Sequence, residues 1–336
     1  MKVVVTGGTG FLGRPLVDAL GRDGHDVVVL GRARSGRRGE VQWSPANPAG
    51  DWVHAFEGVG AVVNLAGEPI AAGRWTAARK HAIQASRVEA TRAVAAALKA
   101  TGAREVTLLS GSAIGYYGTP DDEALDESSP AGTDFLGTVC RNWEREARAA
   151  EANARVVLLR TGLVLAPGGG ALEQLALPFH FFAGGPLGSG RQVMSWIHRD
   201  DWIAMVRWLL ADASVSGPVN LTAPHPVTNR EMAGAIGRAL HRPSFLPAPA
   251  FALRLALGEM ADAMILSGQR VLPRVAQSRG FTFRYETVDD ALREIYDGSG
   301  LKAQGSGLMA WTACWRSKST LENKLTLRVV LRASMP

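Results

Sequence analysis

The chain has 336 residues, 46% of them hydrophobic, which is material for one large or two closely joined domains. No stretch is long and apolar enough to read as a membrane-crossing helix, so a membrane partner is not expected. The formal charge of +6 invites a nucleic-acid partner, but the excess sits in residues 301–336, where Lys302, Arg316, Lys318, Lys324, Arg328 and Arg332 face Glu322 alone. A near-neutral body with a basic tail argues against that partner, because overall charge speaks to solubility and non-specific binding.

The first half alternates strand-like and helix-like patterns. Val3 to Thr6 is a β-branched run, and Leu12, Leu16, Val17 and Leu20 follow at helical spacing, with Pro15 in the first turn where its missing N–H costs least. Val27–Leu30, Ala61–Ala66, Val106–Ser110 and Arg155–Arg160 read as further short apolar strands, with helices near 75–100 and 138–153 between them. Continuous apolar strands alternating with helices predict a parallel sheet covered on both faces. Past residue 165 the texture changes. Pro167-Gly168-Gly169-Gly170 and the segment Gly184–Gly190 read as loops, and helical patterns return near 200–212, 229–241 and 250–272. The predicted fold is therefore α/β, a Rossmann-type doubly wound parallel sheet with a small C-terminal substrate lobe. Residues 1–165 form the nucleotide domain. Residues 166–296 form the lobe, with segments returning to the first domain, and 297–336 form a poorly ordered or atypical tail.

Lys2 to Thr6 lacks the charged region, apolar core and cleavage site of a signal peptide, so a cytoplasmic location is the expectation. Cys140 and Cys314 offer neither a disulfide framework nor metal-ligand spacing, and the seven histidines show no zinc pattern. No metal is expected. The tryptophans lack interleaved basic stripes, so base stacking is not indicated either.

The chemistry concentrates in Thr6-Gly7-Gly8-Thr9-Gly10-Phe11-Leu12-Gly13. A helix N-terminus leaves backbone N–H groups unpaired and partly positive, and glycines let the chain turn tightly and let a pyrophosphate approach. Gly7, Gly10 and Gly13 stand three apart, after a strand and before an amphipathic helix, which is the context a dinucleotide site needs. The second strand ends in Leu30-Gly31-Arg32-Ala33-Arg34 with no acid to take ribose hydroxyls. Arg32, helped by Arg34, is the candidate reader of a 2′-phosphate, so the expected cofactor is NADP(H).

These residues resemble the extended and atypical short-chain dehydrogenase/reductases. The resemblance narrows through Asn64-Leu65-Ala66-Gly67-Glu68-Pro69-Ile70, Arg74-Trp75-Thr76, Ser86-Arg87, Ser110-Gly111-Ser112-Ala113-Ile114-Gly115-Tyr116-Tyr117-Gly118, Arg160-Thr161-Gly162-Leu163 and Trp196-Ile197-His198-Arg199-Asp200-Asp201. Together they are similar to an epimerase-like, NADP-binding subfamily, over about residues 1–296. The resemblance implies that Leu65 and Ala66 line the adenine and ribose side of the cleft, with Gly67 beside them. It places Arg87 near the cofactor, unless Arg87 forms an ion pair on a helix surface, and Leu163 near the nicotinamide. Ser112, Tyr116, Trp196, His198 and the segment Gly184–Arg191 would bound a small-molecule substrate. A homodimer stays open.

The wider superfamily uses a Ser or Thr, a Tyr and a Lys, the Lys tuning a phenol whose ordinary pKa of about 10 makes it a poor base. Here the Tyr and Lys positions read as Leu136 and Cys140, and Ala113 stands at the Ser/Thr position with Ser112 one residue early. Tyr116 or Tyr117 as acid, Cys140 as nucleophile and His198 as acid or base are the open replacements, against readings in which Tyr117 shapes the pocket, Cys140 is a buried small hydrophobe and His198 positions the loop beside Asp200 and Asp201. Hydride transfer on a small carbonyl or sugar-like substrate is the first expectation. A non-catalytic NADP(H)-binding sensor or interaction protein is the second.

Overall fold

The computed structural model describes residues 1–32, 39–47, 49–120 and 123–298. Arg34 and the tail from 299 onward lie outside the described residues. In chain order the first elements are β1 (Lys2–Thr6), α1 (Gly13–Arg22), β2 (Asp26–Gly31), β3 (Glu40–Gln42), β4 (Ala61–Asn64), α2 (Ala77–Ala100) and β5 (Val106–Ala113). Then come β6 (Ala124–Leu125), α3 (Phe135–Arg148), β7 (Ala154–Thr161), β8 (Leu163–Leu165), α4 (Gly170–His180), β9 (Val193–Met194) and β10 (Trp196–His198). The chain continues through α5 (Arg199–Ala211), β11 (Gly217–Leu221), β12 (Val227–Thr228) and α6 (Asn229–Leu240). It ends with α7 (Ala250–Leu257), α8 (Glu259–Ala261), β13 (Arg270–Val271), α9 (Arg274–Ser278) and α10 (Val288–Arg293).

Seven strands form one sheet in the order β11-β7-β5-β4-β1-β2-β3, parallel throughout. Successive side chains of a strand point to opposite faces, and here both faces are buried. Val4, Val62, Leu108, Val156 and Leu158 pack against Ala90, Val94 and Leu98 of α2 and Ala147 of α3. Val3, Val5, Val63, Leu109, Val157 and Leu159 pack against Leu16 and Leu20 of α1 and Trp202, Met205 and Leu209 of α5. Each of the valines, leucines and methionines among them contributes about 1.5–3 kcal/mol on leaving water, before entropy is counted. The doubly wound parallel sheet expected from the sequence is the observed fold.

A third core, around Leu172, Phe179, Trp196, Met232, Ile236 and Leu292, sits under α4, α6 and α10. The predicted 250–272 helix is broken, because Gly258 at φ 62° ends α7 and the chain then runs through α8 and a π-helical turn, Asp262–Leu266. The helix expected over 138–153 begins and ends earlier. Asp134 accepts from the Gly137 N–H at 2.7 Å and starts it at Phe135.

Candidate functional site

The glycine turn leaves β1 at the sheet's carboxyl edge. β1 lies between β2 and β4, and the strand order reverses there. In such sheets this crevice is where ligands bind. Gly7 adopts φ 67°, and a Cβ on it would lie 2.7 Å from the Leu65 carbonyl oxygen. A Cβ on Gly13 would collide with the backbone of Gly7 and Gly8, so the turn would have to shift to admit one. No side chain caps α1, and Thr9 and Gly10 are exposed at the tip. A backbone cradle that only glycines can line, opening an uncapped helix, fits a pyrophosphate.

Thr6 and Asn64 explain why the cradle holds its shape. They are register partners on β1 and β4 and both are fully buried. The Thr6 hydroxyl donates to Asn64 Oδ1 at 2.7 Å and accepts from the N–H groups of Leu65 and Ala66, both at 3.1 Å. Asn64 Nδ2 donates to Thr91 Oγ1 of α2 at 2.8 Å. This network aims the Leu65–Gly67 segment along the crevice. Phe11 and Leu12 are half-buried. The Phe11 ring lies under the glycine loop that starts α4, so its side chain ties the turn to the second lobe.

Arg32 stands at the end of β2 with its side chain 89% exposed and its Nη1 3.9 Å from Glu68 Oε2, so its guanidinium faces solvent beside one carboxylate. Arg87 is not on a helix surface. It is buried, its Nη1 donates to the carbonyls of Glu68 and Ile83 at 3.0 and 2.9 Å, and its guanidinium faces the Trp143 ring at 5.2 Å. Burial lowers its pKa below the ordinary arginine value. Arg87 therefore props the Gly67–Glu68 loop from beneath.

Ser112, near the end of β5, and Tyr116 and Tyr117, in the turn that follows it, meet residues from the carboxyl ends of β7 and β11. Parallel register sets Ser112 of β5 beside Arg160 of β7, and Arg160 beside Asn220 of β11. Glu144 of α3 closes the row. Arg160 Nε and Nη2 hold its two oxygens at 2.8 and 3.0 Å, and the Ser112 hydroxyl donates to Oε1 at 2.7 Å. Arg160 Nη1 also donates to the Tyr117 hydroxyl at 3.0 Å, which donates onward to Asn220 Oδ1 at 2.6 Å. Burial alone would lower the Arg160 pKa, but the hydrogen bonds and charge of Glu144 outweigh it and the net direction is up. Sequence reasoning passed over Glu144 and Arg160 as functional residues. Little in the sequence could have singled them out, because α3 also carries Arg141, Arg145, Glu146 and Arg148, and β7 also carries Arg155.

The structure bears on each of the candidate residues. Tyr117 is buried, its hydroxyl is engaged by Arg160 and Asn220, and burial pushes its pKa up to about 12, which makes it a weaker acid than a free phenol. Cys140 is a buried thiol pushed up to about 12, chiefly by burial, and a thiol held protonated is no nucleophile. His198 is buried, and its Nδ1 accepts the Asp200 N–H at 3.1 Å, capping α5. Burial lowers its pKa to about 4, so it is neutral at pH 7. Trp196 is fully buried in the third core with its indole N–H on the His225 carbonyl, out of a substrate's reach. Arg191 is exposed on its loop, and Leu163 is half-buried at the start of β8. Tyr116 is half-buried, and the Arg160 guanidinium lies 3.5 Å from its ring centre. Among the described residues no group of His, Cys, Asp or Glu side chains could hold a metal ion.

Residues 3–221 match the NAD dependent epimerase/dehydratase family. The chain belongs to that family. Residues 248–295 match a further domain of unknown function. The chain is 45% identical over 305 residues to the chloroplastic epimerase family protein SDR39U1 homolog of Arabidopsis thaliana, covering 88% of this chain and 86% of that protein. It is 41% identical to the epimerase family protein YfhF of Bacillus subtilis, covering 88% and 98%. The crystal structure of human epimerase family protein SDR39U1 with NADPH superposes with a TM-score of 0.82 at 34% identity, covering 88% and 99%. The epimerase-like subfamily that the motifs resemble is thus the one to which the chain belongs. No described helix is long and apolar enough to cross a membrane.

Proposed function

We propose that the protein is an NADP(H)-dependent oxidoreductase or epimerase acting on a small carbonyl or sugar-like substrate. The observation that carries this is the glycine cradle with Arg32, and no acid, at the end of the neighbouring strand. The human SDR39U1 structure, which carries NADPH, supports the same cofactor for this chain. Gly7, Thr9, Gly10, Gly13 and the Leu65–Gly67 segment would hold the dinucleotide, and Arg32 its 2′-phosphate. A bound nicotinamide supplies reversible hydride transfer.

The proton is then this chain's task. Tyr116 is the candidate, because the Tyr117 hydroxyl is tied into the buried row and Cys140 is locked as a thiol. The Arg160 guanidinium, paired with Glu144, lies 3.5 Å from the Tyr116 ring centre and so sets a cation beside that phenol. Ser112 spends its hydrogen on Glu144, so toward a substrate it offers lone pairs and orients a hydroxyl by accepting from it. A non-catalytic NADP(H) sensor is the second reading, favoured by Leu136 and the inert Cys140 at the usual Tyr and Lys positions.

Fluorescence titration tests the cofactor. NADPH should bind more tightly than NADH, and Arg32→Ala should weaken NADPH by about tenfold or more. Tighter NADH binding, indifferent to that substitution, refutes the assignment. Oxidation of NADPH against a carbonyl library tests the chemistry. Turnover should vanish in Tyr116→Phe and persist in Tyr117→Phe, and the reverse would remove Tyr116 from its role.

A further inference from the structure

Glu68 lies four residues beyond β4, across the glycine turn from Arg32 at the end of β2. Its Oε2 is 3.9 Å from Arg32 Nη1. The two groups therefore meet above the carboxyl end of β1, over the crevice where the adenosine of a dinucleotide must lie. Glu68 is not a loose surface carboxylate. Its Oε1 accepts from Arg79 Nη1 at 3.0 Å, its N–H donates to Ser86 Oγ at 3.1 Å, and its carbonyl accepts from Arg87 Nη1 at 3.0 Å. Arg79 also donates to the Pro69 carbonyl, so both ends of that clamp are anchored. Three residues of α2 thus fix Glu68 and leave one carboxylate oxygen turned toward Arg32.

We propose that Glu68 is a second cofactor-specificity residue, accepting a ribose hydroxyl of NAD(H) where Arg32 takes the 2′-phosphate of NADP(H), so that one crevice binds both. In Rossmann folds the acid that reads ribose hydroxyls stands at the end of the second strand. That position is Gly31-Arg32 here, and the acid arrives instead from the loop after the fourth. A carboxylate accepts a hydroxyl's hydrogen and repels a phosphate dianion, while a guanidinium does the opposite. Glu68 therefore tempers the NADP(H) preference that Arg32 sets. This rests on the dinucleotide site proposed above.

The test is titration of the full chain with NADH and NADPH, in parallel with thermal melting. Glu68→Gln keeps an oxygen for Arg79 and places an amide N–H where the free oxygen stood. It should weaken NADH by about tenfold and leave NADPH unchanged or tighter. Arg32→Ala should do the converse. Should Glu68→Gln melt early, Glu68→Asp draws the carboxylate back by one methylene and should weaken NADH alone. Equal shifts for both cofactors, or no shift, overturn the role of Glu68 while leaving the NADPH site standing. Wild-type protein that binds NADPH but no NADH does the same. If neither cofactor binds the wild-type chain, the dinucleotide reading itself fails.

Discussion

The two ends of the crevice are built on different principles. At the β1 end the site is backbone: glycine N–H groups, an uncapped helix, and a Thr6–Asn64 network that fixes them. At the β5–β7 end it is side chain: Ser112, Glu144, Arg160, Tyr117 and Asn220 form one buried row. A backbone cradle serves any ligand that carries the right phosphates. A side-chain row is bespoke, and there this chain departs from the Tyr and Lys of the wider superfamily. Cofactor binding can therefore outlast changes in chemistry.

Three measurements would break or sharpen that contrast. The largest effect should come from the side-chain end. Arg160→Leu leaves Glu144 buried without its partner and should cost about 3–5 kcal/mol in denaturant unfolding. A loss under about 1 kcal/mol would mean that the row is not a structural unit. At the backbone end, Gly13→Ala sets a methyl group against the main chain of Gly7 and Gly8. It should abolish NADPH binding while costing only about 1–3 kcal/mol of stability. Wild-type affinity in that variant would contradict the cradle.

The third effect is a pH limb, spread over more than two pH units. His198 has an ordinary pKa of 6.5, lowered by burial to about 4 in the folded chain. Between those values the unfolded chain binds the extra proton, so stability falls as pH drops from 6.5 toward 4, by up to about 3 kcal/mol. His198→Asn keeps a cap for α5 and removes the titration. Its stability should lose less over that window than the wild type's, and parallel curves would show that the imidazole is not buried as described.

The same contrast decides what the sequence discloses. The glycine turn and the apolar runs of β1, β2, β4, β5 and β7 are local, and their period and punctuation are visible in a few residues. Short strands are not. β3 has three residues, and β11 carries Pro218, which pairing with β7 tolerates. α4 hides behind three consecutive glycines and contains Pro178. Trp196 and His198 look like cleft residues in the chain, and only tertiary packing shows that one is core and the other a helix cap. The Glu144–Arg160 pair depends on α3 folding over β7, a relation that no local pattern carries.

β11 is the last strand of the cofactor sheet to be synthesised. While a ribosome is still making the 166–216 segment, the edge of β7 has no partner. Asn220 has not yet emerged to receive the Tyr117 hydroxyl, nor Val215 to receive Arg155. A cut at residue 165 would therefore leave the seven-stranded sheet without β11. A fragment ending there would carry an open, apolar β7 edge, the feature that drives strands to pair with other chains. The second lobe and the sheet have to be completed together.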